Sequence, residues 1–305
     1  MTKNPKRVSI AGVCSLLGQN LLAELVESPD FIVESIHDVQ ADRGTAAIAD
    51  TAGWQGDINL ETACVTLPFL PAAAPAKAPL LLSFLPDSIG QAVEAEHISR
   101  GTNVISHCEY ARTDARLLMP GLVSAAPSEP LQGTPNCTTA MCVLPLYHLH
   151  KALGVTRATI TTLQAISGTD LPGLPASVIH DQVIGHLPGE AAALSNELIC
   201  LLGESIPIET FATRVPVWRG HTITMSVDLS EQADAEAIRT LLTDIPGVAV
   251  SEHTHRRDSF TSPSCLSQIV NIRKSESGVS LIIKGDNLGS ATVGVMRALA
   301  LELQC

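Results

Sequence analysis

Residues 7–29, "RVSIAGVCSLLGQNLLAELVESP", decide the fold. An apolar β run leads into a turn between Gly12 and Gly18, and Leu17, Leu21, Leu22 and Leu25 then recur at helical spacing. Strand, glycine turn and helix in that order open a βαβ unit. The pattern repeats downstream: "FIVESIHDV" (31–39) reads as a second strand. "PLLLSFLPDS" (79–88) reads as a buried third strand, with "IGQAVEAEHISRG" (89–101) as the helix behind it. "TNVISHCEY" (102–110) reads as a fourth strand. Strands alternating with helices imply a parallel sheet with right-handed crossovers. The Pro/Ala-rich stretch at 67–79 reads as a surface connection.

The pattern changes after residue 137. "TTAMCVLPLYHLHKALG" (138–154) is helical and stops at Gly154, and "VTRATITTLQAIS" (155–167) is a long alternating β-branched strand. "ATRVPVWRGHTITMSVDLS" (212–230) and "GVSLIIKGD" (278–286) read as further strands, with a helix at 231–247 between them and a terminal helix at 290–304. Long alternating strands with helices on one side suggest an antiparallel α+β arrangement. The expected class is therefore α/β: a Rossmann-like parallel-sheet nucleotide-binding domain at 1–136, completed by the C-terminal segment 286–305, plus an α+β catalytic and dimerisation domain at 137–285.

Composition narrows the partners. The 305 residues include 19 Lys and Arg against 31 Asp and Glu, a net charge of −12, and aromatics make up only 3%. Dispersed cations and few rings argue against nucleic acid. The sequence has no apolar run of about 18 residues, so no membrane span is expected. The opening "MTKNPKRVSIAG" lacks an export signal's apolar segment. Eight cysteines without CxxC pairs predict neither a metal knuckle nor a disulfide framework, and a cytoplasmic home is the simplest.

Three places carry chemistry. Gly12 and Gly18 flank a turn whose middle position is Ser15. Such glycines let a backbone approach a pyrophosphate at a helix N-terminus, but they also serve ordinary βα packing. In "GTPNCTTAMC" (133–142), Cys137 stands where a helix begins. Unpaired N–H groups and the positive end of the dipole would stabilise its thiolate there, whereas a buried junction cysteine is the alternative. Cys142 and Cys200, in apolar helical runs, read as core. Among ten histidines, His221 follows Gly220 on a β segment shared with Arg214. A regular strand would put these two on opposite faces, but Pro216 and Gly220 imply a bend that brings both into one cleft. An edge strand with ordinary polar residues is the other reading.

"TPNCTTAMCVLPLYHL", "TTLQAISGTDLPG", "ATRVPVWRGHT" and "KGDNL" occur in the order and approximate spacing of the aspartate-semialdehyde dehydrogenase family, and the sequence most closely resembles its archaeal and fungal branch. The resemblance implies NADP-dependent reduction of 4-phospho-L-aspartate through a cysteine thioester. Cys137 would be the nucleophile, His221 the acid/base, Gln164 the residue orienting the acyl group, and Asn136 a donor near the oxyanion. Arg214 would clamp the substrate's carboxylate, Glu190 would meet its amino group, and Arg112, in "SHCEYAR", would take phosphate. The cofactor would lie against Gly12, Cys14, Ser15, Leu16, Leu17, Arg43, Ser83, Ser167, Gly168 and Asn287. No metal is implied. The resemblance also implies a homodimer or homotetramer and a small anionic acyl substrate. For the nicotinamide cofactor, Asp38 and Asp42 favour NAD and Arg43 favours NADP; the resemblance tilts the choice to NADP.

The departures from the family concern anions. Ser15 replaces a glycine, His107 an asparagine, and Ala193 the lysine expected to help hold phosphate. One lost cationic contact removes about 1.5–3 kcal/mol of charge-assisted hydrogen bonding. A reductase of another acyl phosphate or of a CoA or carrier thioester, malonyl-CoA for example, therefore stands as an alternative, and so does a non-catalytic paralogue.

Overall fold

The computed structural model describes residues 4–42, 67–169, 173–203, 206–251 and 265–303. Arg43 lies outside the described residues. The chain divides into two compact units, 1–135 with 170–172 and 295–305, and 136–169 with 173–294. The segment 286–294, expected with the first domain, thus falls in the second.

In the first unit, β1 (Lys6–Ala11), β2 (Phe31–Asp38), β3 (Phe69–Pro71), β4 (Leu80–Ser83), β5 (Asn103–Ser106), β6 (Arg116–Leu117) and β7 (Leu131–Gly133) form one parallel sheet. Its order is β3-β2-β1-β4-β5-β7-β6. The order reverses beside β1 and β4, the switch point at which doubly wound sheets take ligands. The helices α1 (Leu16–Glu27), α2 (Asp87–Ser99) and α3 (Glu109–Asp114) connect the strands. The Pro/Ala stretch supplies β3, which lies at the sheet edge, where Pro71 needs no inward ladder bond. Its neighbours Ala72 and Ala78 are buried, and they are held from inside: His97 Nε2 bonds Ala72 O at 2.9 Å, and Ala78 N–H donates to Ser9 Oγ at 3.2 Å.

Packing, before any ligand, dictates the glycines of the first turn. Gly12 has φ +73°, and a Cβ there would sit 2.1 Å from the Phe84 carbonyl oxygen. A Cβ on Gly18 would sit 2.2 Å from Gly12 O. The third glycine of a dinucleotide turn has this close helix–strand role.

The second unit opens with α4 (Cys137–Leu153), buried on nearly every side through its first turns and ended by Gly154 at φ 68°. A helix that is apolar all round belongs in a core. It packs against β8 (Val155–Gln164), β10 (His221–Leu229) and β13 (Gly278–Gly285), central strands of a six-stranded sheet. The remaining strands are β9 (Ile208–Arg214), β11 (Val248–Val250) and β12 (Ser267–Lys274), in the order β11-β12-β13-β10-β8-β9. The sheet is mixed rather than antiparallel: β8 pairs β9 in parallel, and β11 pairs β12 in parallel. For β8 and β9 the reason is the crossover α5 (Glu190–Leu202), which returns the chain in the same direction. The helix α6 (Ala235–Thr243) precedes β11.

The stretch 212–230 is two strands, not one. Residues 215–220 leave β9, pass the end of β8 and start β10 on its far side. Backbone bonds fix the passage: Val215 N–H to Gln164 O at 3.0 Å, Ile166 N–H to Val217 O at 2.7 Å, and Ser167 N–H to Trp218 O at 2.9 Å. Gly220, at φ 93°, makes the final turn. The terminal helix opens as a π-helical segment, Gly289–Gly294, before α7 (Val295–Glu302) in the first unit, where Arg297 faces Glu24.

Gly12→Ala combines backbone strain with a clash against Phe84 O. It should destabilise the protein by about 2 kcal/mol or more, read as a lower midpoint in chemical denaturation. A midpoint equal to that of the wild type would remove the packing argument.

Candidate active site

Cys137 is the first residue of α4. Asn136 is the N-cap, and its Oδ1 accepts from Thr138 N–H at 3.1 Å, Thr138 Oγ1 at 3.1 Å and the Cys137 thiol at 3.3 Å. Buried Glu197 holds the cap from below, accepting from Asn136 N–H at 2.8 Å. A thiol so placed lies beside the unpaired N–H groups of a helix start, where negative charge is favoured.

Strand register sets the rest. Gln164 ends β8, opposite Arg214 at the end of β9. Thr222 pairs with Leu163, so His221 opens β10 beside Gln164 on its other flank. The loop 215–220 is what allows one strand end to lie between the other two.

Ala165, the residue after β8, locks both neighbours. Its N–H donates to His221 Nδ1 at 2.9 Å, and its carbonyl accepts from Arg214 Nη1 at 2.8 Å. With Nδ1 accepting, a neutral His221 carries its proton on Nε2. That nitrogen is buried without a hydrogen-bond partner among the described residues, as is Arg214 Nε. Burial, and secondly the Arg214 guanidinium, push the His221 imidazole down to about 3. Burial also lowers Arg214, while the nearby Glu190 and Cys137 support its charge. Gly168 makes room for the pair: a Cβ there would meet Arg214 Nη1 at 2.8 Å and His221 Cε1 at 3.3 Å.

Glu190, in the first turn of α5, accepts through Oε2 from Gln164 Nε2 at 3.1 Å and from Asn136 Nδ2 at 3.4 Å. Gln164 Nε2 also reaches Thr162 Oγ1 at 3.3 Å. Cys137, Asn136, Gln164, Glu190, Arg214 and His221 are thus gathered in the second unit. One expectation changes: Asn136 turns its carbonyl, not its NH2, toward Cys137, because Glu190 takes the nitrogen. Ser167 and Asn287 also lie in this unit, tied to each other, and Asn287 Oδ1 accepts from Gly220 N–H at 3.0 Å. Their polar atoms hold the loop that carries Arg214 into His221. Cys200, expected as core, is exposed on α5, whereas Cys142 is buried.

The expected cofactor residues Gly12, Cys14, Ser15, Leu16, Leu17 and Ser83 lie in the first unit, with Arg112. Leu16 and Leu17 form the first turn of α1, whose N–H groups suit a phosphate. Ser15 caps that helix: its hydroxyl donates to Gly12 O at 2.8 Å and accepts from Gly18 N–H at 3.0 Å, so its proton is not offered outward. Both oxygens of Asp38 accept backbone N–H groups, from Cys14 at 2.9 Å and Gln40 at 3.0 Å. Ser83 donates to buried Glu94 at 2.6 Å. Arg112 Nη2 donates to His107 O at 2.8 Å.

Sequence reasoning missed Glu197 and Ala165. Glu197 had a signal: it shares the apolar stripe of Leu194, Leu198 and Leu201. Ala165 had none, because it works through its backbone.

A family profile described as "Semialdehyde dehydrogenase, dimerisation domain" matches residues 146–289. The aspartate-semialdehyde dehydrogenase of Archaeoglobus fulgidus is 25% identical over 95% of this chain and 96% of its own length. These likenesses indicate an oxidoreductase acting on an aldehyde or acyl group, similar to the aspartate-semialdehyde dehydrogenases. The enzyme of Methanothermobacter thermautotrophicus is 23% identical over 79% of this chain and 76% of its own. Among solved structures, aspartate-semialdehyde dehydrogenase with NADP from Candida albicans superposes with a TM-score of 0.82 at 19% identity, covering 97% of this chain and 98% of that one. Aspartate-semialdehyde dehydrogenase II complexed with ASA from Vibrio cholerae gives 0.81 at 17% identity, covering 98% of both chains. These two likenesses bear on the fold. Among the described residues no cluster of His, Cys, Asp or Glu could hold a metal, and no helix is long and apolar enough to cross a membrane.

A native His221 held neutral means that the unfolded chain takes up a proton first as pH falls. Its contribution is fully present above about 6.5 and is lost as pH drops toward 3. The His221 ring resonances should stay constant between pH 5 and 8, with Nε2 protonated. A titration midpoint between 6 and 7 would contradict the burial argument.

Proposed function

We propose that this chain reduces 4-phospho-L-aspartate to L-aspartate 4-semialdehyde, and runs the reverse reaction, through a thioester on Cys137. The observation that carries the reading is the meeting of a helix-start cysteine with Gln164, Arg214 and His221 at one end of one sheet. NADP, bound against the glycine turn and α1, would supply the hydride. The helix start fits a pyrophosphate, and the engagement of both Asp38 oxygens weakens the case for a ribose-hydroxyl acid and hence for NAD.

The chain's own groups have distinct tasks. Cys137 Sγ attacks the acyl carbon; the C–S bond forms as the C–O bond to phosphate breaks, and phosphate leaves. Backbone N–H groups at the start of α4 and the Nε2–H of His221 are the donors suited to the oxyanion that develops on the acyl oxygen. Reduction of the thioester carbon returns aldehyde and releases the Cys137 sulfur. Arg214, with Nη1 fixed by Ala165, has the rest of its fork for a carboxylate, a bidentate task. Burial keeps that pair away from competing water.

A second reading keeps the sulfur chemistry and changes the donor to a CoA or carrier thioester such as malonyl-CoA. It is favoured by the first turn of α5, where Ala193 stands in place of a cation. NADPH oxidation followed with 4-phosphoaspartate and with malonyl-CoA in parallel separates the two. The first reading expects turnover with the acyl phosphate; turnover with malonyl-CoA alone would replace it. With the acyl phosphate, Arg214→Ala should lose about 3 kcal/mol of transition-state binding, about a hundredfold in kcat/KM. A loss under threefold would take Arg214 out of the site.

The assembly we propose is a homodimer in the cytoplasm. Edge strand β9 exposes Phe211, and the adjoining loop exposes Val217 and Trp218, within the span matched by the dimerisation-domain profile. Phe211→Glu should shift sedimentation toward the monomer. A protein that sediments as a monomer without the substitution would overturn the proposal.

A further inference from the structure

We propose that Glu190 is a positioning residue, one carboxylate oxygen of which sets the orientation of both amides beside Cys137. The inference deepens the proposed function, and its kinetic consequences rest on that reading; its structural consequence does not.

The argument begins with what an amide can do. Asn and Gln side chains each have a donating end and an accepting end, and an ionised carboxylate only accepts. Glu190 sits in the first turn of α5, where the helix dipole favours its charge. Its Oε2 meets Gln164 Nε2 at 3.1 Å and Asn136 Nδ2 at 3.4 Å. Both nitrogens must face it, so both carbonyls face away. For Asn136 this direction has a structural result: Oδ1 points at Thr138 N–H, Thr138 Oγ1 and the Cys137 thiol. The N-cap of the helix that presents the nucleophile is therefore held in place by a residue 54 positions away in α5. Glu197 fixes the Asn136 backbone through its N–H, and Glu190 fixes the side chain. For Gln164, the bonds to Glu190 and to Thr162 Oγ1 occupy the nitrogen and leave the carbonyl to the site.

Charge and acceptor geometry separate under substitution. In Glu190→Gln the charge is gone, but an amide oxygen of the same reach can accept from both nitrogens. In Glu190→Asp the charge remains, but the acceptor retracts by one methylene. In Glu190→Met the acceptor is gone and the volume is kept. Positioning predicts that kcat with 4-phosphoaspartate falls about 10- to 100-fold in Glu190→Met and Glu190→Asp, with KM changed less than threefold, and that Glu190→Gln recovers at least a third of it. A direct charge contact with substrate predicts the reverse order, Asp above Gln, with the loss in KM.

The second arm needs no substrate. Hydrogen exchange at the Thr138 amide, which Asn136 Oδ1 protects, should quicken about tenfold or more in Glu190→Met and stay within threefold of wild type in Glu190→Gln. Unchanged exchange in Glu190→Met, or a Glu190→Gln enzyme as impaired as the Met variant, overturns the proposal. If the wild type does not turn over the acyl phosphate, the proposed function fails and the exchange result still decides the role of Glu190.

Discussion

The register of β8 against its two neighbours is the constraint on which the site depends. Gln164 ends that strand with Arg214 level on one side and His221 on the other, and the next residue, Ala165, binds both through its backbone. Because side chains alternate along a strand, a slip of one residue in either pairing would turn the paired strand's side chains to the opposite face. The loop 215–220 makes the double pairing possible by passing the end of β8. Its hydrogen bonds to Gln164, Ile166 and Ser167, together with the Asn287 bond to Gly220, hold it there. Arg219 adds a bidentate pair to Asp286 at 2.8 and 2.7 Å.

Carboxylates organise both units, and they do so chiefly by accepting from neutral donors. Asp38 takes two backbone N–H groups at the first turn. Glu94 takes Ser83, Ser106, the Cys108 thiol and Tyr110. Glu197 takes the N–H of Asn136, the cap of α4, and Glu190 takes two amides. Hydrogen bonds to a charged acceptor contribute about 1.5–3 kcal/mol each, and a buried acceptor left unpaired costs as much. Among the described residues no carboxylate is hydrogen-bonded to the Arg214 guanidinium, whose charge nearby Glu190 supports, and Arg214 Nε is buried without a partner.

Period carried most of the fold. The β run, glycine turn and leucine spacing at 7–29 imposed a parallel sheet, and its order matches the doubly wound kind. Strands of two or three residues, β3, β6, β7 and β11, have no period to read, and they form because neighbouring strands offer an edge. The split at 215–220 was signalled by Pro216 and Gly220, yet hydrophobic alternation on both sides hid it. In the site, Cys137, Gln164, Arg214 and His221 were legible as residue types in motifs. Ala165 was not, since a backbone N–H and carbonyl have no letter. The orientation of Asn136 was not legible either, because it is decided by a carboxylate from another helix. The turn glycines were open to two readings, ligand approach and close packing, and the Phe84 and Gly12 carbonyls already require them for packing.

In the proposed reaction the sulfur of Cys137 captures an acyl carbon at the start of α4. Peptide mass spectrometry of the protein mixed with 4-phosphoaspartate, without reductant, tests this most directly. A single aspartyl adduct should appear on the peptide bearing Cys137, with release of one phosphate, and hydroxylamine should remove it. An acyl group carried by another cysteine, or aldehyde formation with no adduct at Cys137, would contradict the account.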